Sequence, residues 1–192
     1  VTSADQILGS TVPAELRSGT RIQAVGEPRH ERGHLRSVFG AFATGITVVT
    51  ARGDAPLGMT ANSFTSVSLE PPLNLVCVDR TAAIHDVILR DQVFAVSVLS
   101  SGQEPLATYF ASHSRPRGEE EFALVDSVPG PRTGVPVLAG ALAWMECRLA
   151  AVYDGGDHSI FLGSVLDLGH GTGEHALLFH GGRFHRLLPG AA

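Results

Sequence analysis

Two short apolar runs, Leu73–Val78 and Val93–Leu99, constrain the fold most strongly, and the stretch between them, Thr81–Arg90, reads as a short helix. Apolar runs of strand length, rich in Val and Leu, mark strands buried on both faces. Neighbouring segments carry related signatures. Ile46–Thr50 is β-branched almost throughout, and Leu57–Leu69 is rich in Thr, Ser and Val until Glu70-Pro71-Pro72 stops it. Leu142–Tyr153 alternates, with Ala143, Met145, Cys147, Leu149 and Ala151 on one face and Trp144, Glu146 and Arg148 on the other. Asp154-Gly155-Gly156-Asp157 turns the chain into a further strand over His158–Leu168, and Gly181-Gly182 joins Ala176–His180 to Arg183–Leu187 as a hairpin. Roughly six or seven strands with few, short helices predict a small, mainly β barrel.

The helices follow from spacing. Leu35, Val38, Phe39 and Phe42 share one face of a helix ending near Thr44-Gly45, and Glu104–Ser112 forms another. Residues 1–30 mix Ser, Thr, Gly, Pro and scattered charges without a period, which predicts an N-terminal extension or arm ahead of one domain over residues 31–189. Ser112–Pro136 is rich in Arg, Glu, Pro and Gly and predicts a long surface excursion, of the kind that serves as a lid or partner contact. Within it, Glu119-Glu120-Glu121 reads as a solvated charge run.

Composition removes several functions. A hydrophobic fraction of 44% over 192 residues suffices for one sizeable core. All 14 basic residues are arginine, which excludes a P-loop lysine, a pyridoxal Schiff base and any lysine nucleophile together. A formal net charge of −5 supplies no basic field, so no nucleic-acid partner is expected. No apolar stretch reaches the roughly eighteen residues of a spanning helix, and no secretory-signal pattern opens the chain, so a cytoplasmic protein without a membrane partner is expected. Cys77 and Cys147 lie in apolar runs outside any metal-type pair and read as buried reduced thiols. His170, His175, His180 and His185 recur every five residues, which on a strand places successive side chains on opposite faces; no metal is expected. GxGxxG after a strand, GxSxG and HExxH are all absent.

Two stretches can carry chemistry. Gly58–Pro72 crowds small hydroxyl and amide side chains onto a strand with apolar neighbours, and Thr60, Asn62 and Ser63 suit the edges of a planar heteroaromatic ligand attached to a sugar-phosphate chain. A polar strand face turned to water satisfies the same pattern. After the apolar run Leu73–Val78 come Asp79, Arg80 and Thr81 and then a helix start, which places a guanidinium and a hydroxyl beside unpaired helix amides as an anion site. Thr81 as a plain helix cap is the competing reading.

Phe42-Ala43-Thr44-Gly45-Ile46-Thr47-Val48-Val49-Thr50, then Gly58–Leu73, then Gly156-Asp157-His158 together resemble the short-chain flavin reductases, the reductase components of two-component flavin-dependent monooxygenases. The resemblance covers about Arg32 to Leu187. It implies an FMN-binding split β-barrel of Greek-key type with a few short flanking helices. It further implies a homodimer, FMN or FAD bound in a groove near the subunit interface, NADH or NADPH as hydride donor, and a monooxygenase that receives the reduced flavin. By motif position, Thr60, Ala61, Asn62, Ser63 and Phe64 line the ring and ribityl chain, while Cys77, Val78, Asp79, Arg80 and Thr81 run from the ring edge to the phosphate. His158 faces the nicotinamide as the catalytic-site residue, with a positioning role, since hydride transfer needs no general acid.

The chain departs from the family at Ser97, where relatives often carry Asn, and in the charged stretch Ser112–Glu121. A flavin- or haem-binding split-barrel protein without NAD(P)H turnover is the alternative of a different class, and Gly156-Asp157-His158 speaks against it. An FMN oxidase acting on a pyridoxal-type phosphate calls for more basic phosphate ligands than Arg80 offers.

Overall fold

The computed structural model describes residues 31–187, so the expected arm over residues 1–30 lies outside the described residues. The chain begins with α1 (Arg32–Phe39), β1 (Thr44–Gly45), β2 (Thr47–Ala51), β3 (Leu57–Ala61), β4 (Thr65–Leu69) and β5 (Pro72–Asp79). There follow α2 (Ala83–Asp91), β6 (Val93–Val98) and α3 (Glu104–Ala111), then β7 (Ser127–Pro129) and β8 (Pro136–Leu138). The long strands β9 (Ala143–Gly155) and β10 (His158–His170) precede a closing hairpin, β11 (Leu177–His180) and β12 (Arg183–Arg186).

The main sheet has seven strands in the order β3-β2-β6-β9-β10-β5-β4, each neighbouring pair antiparallel. Its edges, β3 and β4, are joined by residues 62–64 alone. A flat sheet of that width would hold its edges roughly 29 Å apart, whereas the chain from Ala61 to Thr65 spans at most about 14 Å. The sheet therefore rolls until its edges meet at a seam. Ser63 stitches that seam: its Oγ donates to the Cys77 carbonyl at 3.0 Å and accepts the Cys77 amide at 3.1 Å. This rolled, incompletely closed sheet is the split barrel expected from the sequence.

Side-chain parity sets the core. β6 is buried on both faces from Phe94 to Ser97, as its unbroken apolar run implies. β5 instead alternates, turning Asn74, Val76 and Val78 inward and leaving Leu75, Cys77 and Asp79 half-covered on the other face. Val49, Val76, Val78, Phe94 and Phe161 pack with Ile84 and Ile88 of α2 in the barrel interior. A second cluster of Ile46, Val48, Leu99, Ala107, Phe110 and Leu177 lies under α3. Full burial of each large apolar side chain contributes about 1.5–3 kcal/mol. Ser97, at the position where the family pattern differs, is fully buried and accepts the Leu138 amide at 3.0 Å.

Three sequence expectations are corrected. α1 ends at Phe39 rather than near Thr44, and its apolar face is not core: Val38, Phe39 and Phe42 are 55%, 72% and 77% exposed. The 112–136 segment is not a plain excursion, because β7 inside it pairs with β8, which begins at its end, and the turn between them is held by Glu146 of β9. Glu146 is fully buried and accepts from the Arg132 amide at 3.0 Å and the Thr133 amide at 2.7 Å. Glu121 is also fully buried, so the triple-glutamate run is not solvated throughout. Among the described residues no helix is long and apolar enough to cross a membrane.

Gly58 on β3 is a point of close approach, since a Cβ there would collide with the ring of the buried Phe110. Gly58→Ala is expected to lower stability by about 1–3 kcal/mol through overpacking, read as a reduced urea midpoint with unchanged slope. An unchanged midpoint would show that the Phe110 ring can give way.

Candidate functional site

A cleft of about 1040 Å³ opens at the seam. One wall is the β3 end with Thr60, Ala61, Asn62 and Ser63; Cys77 and Asp79 of β5 form another. The turn into α2 (Thr81–Ile84) and the β9–β10 hairpin (Gly155, His158, Ile160) border the third side. Phe110 and the segment carrying His113, Arg115 and Arg117 border the fourth. The volume sits at the upper end of small-molecule sites, which suits a nucleotide-sized ligand.

The hydroxyls of the β3 wall are already committed as donors. Thr60 Oγ1 donates to the Ala107 carbonyl of α3 at 2.6 Å, and Ser63 Oγ donates to Cys77. Each hydroxyl keeps lone-pair capacity, so toward a ligand both serve as acceptors. Asn62 is exposed at the cleft and can both donate and accept. Ala61 is mostly core and borders the cleft through what remains accessible. Phe64 does not reach the cleft lining; it packs against the barrel interior. Val78 points the same way, for the parity of β5 that brings Cys77 and Asp79 to the cleft puts Val78 in the core.

The strand-to-helix junction is built differently from the anion site expected there. Thr81 does not cap α2, whose N-cap is Ala82; its amide and hydroxyl both donate to Asp79 Oδ1 at 2.7 Å. The Thr81 hydroxyl and then its amide hold the Asp79 carboxyl below the usual carboxylate range, with smaller contributions from His158 and His113. Arg80 turns away from the cleft, donating from Nε to the His158 carbonyl at 3.3 Å and pairing through Nη2 with Asp154 at 3.2 Å. Its amide donates to the Asp157 carbonyl at 3.1 Å. Arg80 therefore braces the hairpin that carries His158. The His158 ring lies at the cleft edge, with Nδ1 2.7 Å from Asp157 Oδ1. This contact orients the ring and holds the Asp157 carboxyl below its ordinary range.

The sequence reading missed the wall opposite. Arg115, Arg117 and His113 line the cleft, and the signal for them is the Arg115-Pro116-Arg117 pattern inside the expected surface excursion. Arg115 Nε donates to Glu121 Oε1 at 3.0 Å, and the pair is almost wholly buried, with side chains 7% and 0% exposed. Glu121 Oε1 also accepts the Gly58 amide at 2.9 Å, while Arg115 Nη2 donates to the Gly58 carbonyl at 2.6 Å. The ion pair thus clamps both main-chain groups of one β3 residue. Removing one partner leaves a buried charge, a loss of about 3–5 kcal/mol.

A seam-closed antiparallel sheet with a cleft of this size at its opening defines a small split β-barrel. More narrowly, residues 39–188 match the flavin reductase like domain, and the chain belongs to that family. It is 52% identical over 161 residues to the NADH-dependent FAD reductase of Streptomyces globisporus, covering 84% of this chain and 88% of that one. The reductase subunit HsaB of a flavin-dependent monooxygenase from Rhodococcus jostii is 38% identical over 156 residues, covering 81% of this chain and 77% of that one. Among solved structures, BorF, the flavin reductase component of a bacterial two-component tryptophan halogenase, matches with a TM-score of 0.79 and 49% identity over 82% of this chain and 98% of that one.

Neither cysteine is in a disulfide, but only Cys147 is fully buried; Cys77 is half-covered at the cleft. Burial pushes both thiols up, Cys147 to about 11, with the Ser63 hydroxyl partly offsetting the shift at Cys77. Because the thiolate is the reactive form, Cys77 is expected to react with iodoacetamide more slowly than free cysteine at pH 8 and faster as pH rises past the ordinary thiol value. Saturating flavin is expected to slow it further, measured by mass spectrometry of the alkylated peptide; equal rates with and without flavin would place the ligand elsewhere.

Proposed function

We propose that this chain is a cytoplasmic NADH-dependent flavin reductase that reduces FAD or FMN and passes the reduced flavin to a flavin-dependent monooxygenase or a similar flavin-consuming component. The observation that carries this reading is the seam cleft, where acceptor hydroxyls, an amide side chain and unspent cations border one space of about 1040 Å³. That donor set fits a flavin nucleotide: a ring with polar edges meets Thr60, Asn62 and Ser63, and an anionic tail meets arginine and histidine. NADH is preferred as donor because the Streptomyces relative is named for it; the partner follows from the HsaB and BorF descriptions.

When bound, a reduced nicotinamide and a flavin supply the redox chemistry themselves, with hydride passing between rings held roughly 3–3.5 Å apart. The chain's residues bind, orient and exclude water. Asn62 and the main chain of the β3 wall direct fixed dipoles at the ring edge, which costs no reorganisation during reaction. His158, steadied by Asp157 and by the Arg80 brace beneath the hairpin, positions the nicotinamide side. Phe110, behind Gly58, keeps the wall dry.

A second copy completes the molecule in this reading. Val38, Phe39 and Phe42 expose an apolar face beside the cleft, and Phe39 also lines it. Large apolar side chains gathered at one place mark an interface, and a homodimer covers them. Light scattering is expected to give twice the 20.2 kDa chain mass, and Phe39→Ser with Phe42→Ser to shift it toward monomer; a monomeric parent protein would end this part of the proposal.

The deciding experiment mixes purified protein with NADH or NADPH and riboflavin, FMN or FAD, and follows loss of nicotinamide absorbance. Consumption that depends on added flavin is the expected result; flavin binding without consumption would make the protein a carrier. His158→Ala is expected to raise the NADH KM several-fold, with flavin affinity changed less than twofold. Equal losses toward both ligands would remove the positioning role.

A further inference from the structure

His85 and Ser159 are buried polar residues outside the cleft lining. His85 sits in the first turn of α2, and Ser159 is the second residue of β10. The imidazole Nε2 lies 2.9 Å from Ser159 Oγ and Nδ1 lies 3.0 Å from Asp86 Oδ1. The ring packs against the buried Phe161, with centroids 5.2 Å apart. An ionised carboxylate only accepts, so with the imidazole neutral the proton is on Nδ1, Nε2 accepts, and the Ser159 hydroxyl donates. The three side chains repeat the order of a hydrolytic Ser-His-Asp array, but Ser159 faces the interior, where its hydroxyl meets no substrate.

Strand parity turns His158 and Ile160 to the cleft and Ser159 and Phe161 inward. On the helix side, Ala82, Ala83 and Ile84 line the cleft immediately before His85. Among the described residues, the contact between Nε2 and Oγ is the one side-chain hydrogen bond between α2 and β10, and it joins two borders of the cleft from behind. The ties that the Arg80 side chain makes to the hairpin, with Asp154 and the His158 carbonyl, are solvent-exposed. An exposed ion pair contributes little, whereas a satisfied buried hydrogen bond holds its groups to one geometry. We infer that the His85–Ser159 bond is a positioning device for His158: it fixes the start of β10 against α2 and so sets where the His158 ring stands at the cleft edge. The inference rests on reading His158 as the residue that places the nicotinamide. Asp86 acts one step further back, by fixing the imidazole tautomer.

Hydrogen exchange of the ligand-free protein and equilibrium binding of NAD+ to the FAD-loaded protein, followed by flavin fluorescence, test it together. Ser159→Ala is expected to speed exchange of residues 154–160 several-fold, with β2 changed no more than the measured loss of urea stability dictates. The same variant is expected to weaken NAD+ about fivefold and FAD less than twofold. His85→Phe, which keeps a ring against Phe161 without the nitrogen, gives the same split, and His85→Gln, whose amide reaches toward Ser159, recovers part of the loss. In the His158→Ala background, Ser159→Ala adds less than a further twofold, because its effect passes through His158. The inference is overturned if hairpin exchange is unchanged, if NAD+ and FAD weaken equally, if His158→Ala alone leaves NAD+ binding intact, or if Ser159→Ala costs as much NAD+ affinity without the His158 ring as with it. A purely structural role for the bond predicts the second and the last. Because none of these measurements needs turnover, a protein that passes them yet consumes no NADH would sink the reductase reading and leave the positioning device standing.

Discussion

The short link over residues 62–64 is the constraint on which the rest of the structure depends. It ties together two strands that the sheet order places at opposite edges, and only a rolled sheet satisfies both. The closure is imperfect, since β3 and β4 are joined by chain and by the Ser63 bridge to Cys77 rather than by a continuous ladder. An opening remains at that seam, and the cleft lies there. Fold closure and ligand site thus share residues, with Ser63 serving as stitch and wall at once.

Buried carboxylates do the second layer of shaping. Glu146 gathers the amides of Arg132 and Thr133 and so seats the turn between β7 and β8 against the barrel. Glu121 does the same for the segment after α3, with Arg115 as its counterion. In each case an acidic side chain of fixed position accepts hydrogen bonds from a stretch with little regular structure of its own, which gives that stretch a defined placement. Ion pairing at the surface works in the opposite sense at Arg80, where Asp154 draws the guanidinium out of the cleft toward the hairpin.

Much of the barrel was legible because strand parity is local. The β6 run, the β9 alternation and the Gly181-Gly182 hairpin all follow from residues a few positions apart. The seam motif Thr60–Ser63 was legible too, since hydroxyls on an apolar strand are conspicuous, as were Cys77, Asp79, Thr81 and His158 as neighbours of the cleft. Val78 and Phe64 were assigned by motif proximity, and the alternation of β5 and the packing of Phe64 place them in the core instead. Arg80 could not be decided from sequence because its partner, Asp154, arrives from a hairpin far along the chain. Glu121 misled for the same reason: its run of three acids looks solvated until Gly58 and Arg115 are brought to it in three dimensions. The exposed face of α1 shows the limit of periodicity, which reports that a helix is amphipathic but not what covers it.

The clamp on Gly58 has a consequence beyond ligand chemistry. β3 is an outer strand, and such strands invite foreign chains to extend the ladder. Here the outward-facing amide and carbonyl at that residue are already claimed by a glutamate and an arginine. An incoming strand loses that rung of the ladder, so the charged pair also blunts the edge against edge-to-edge aggregation.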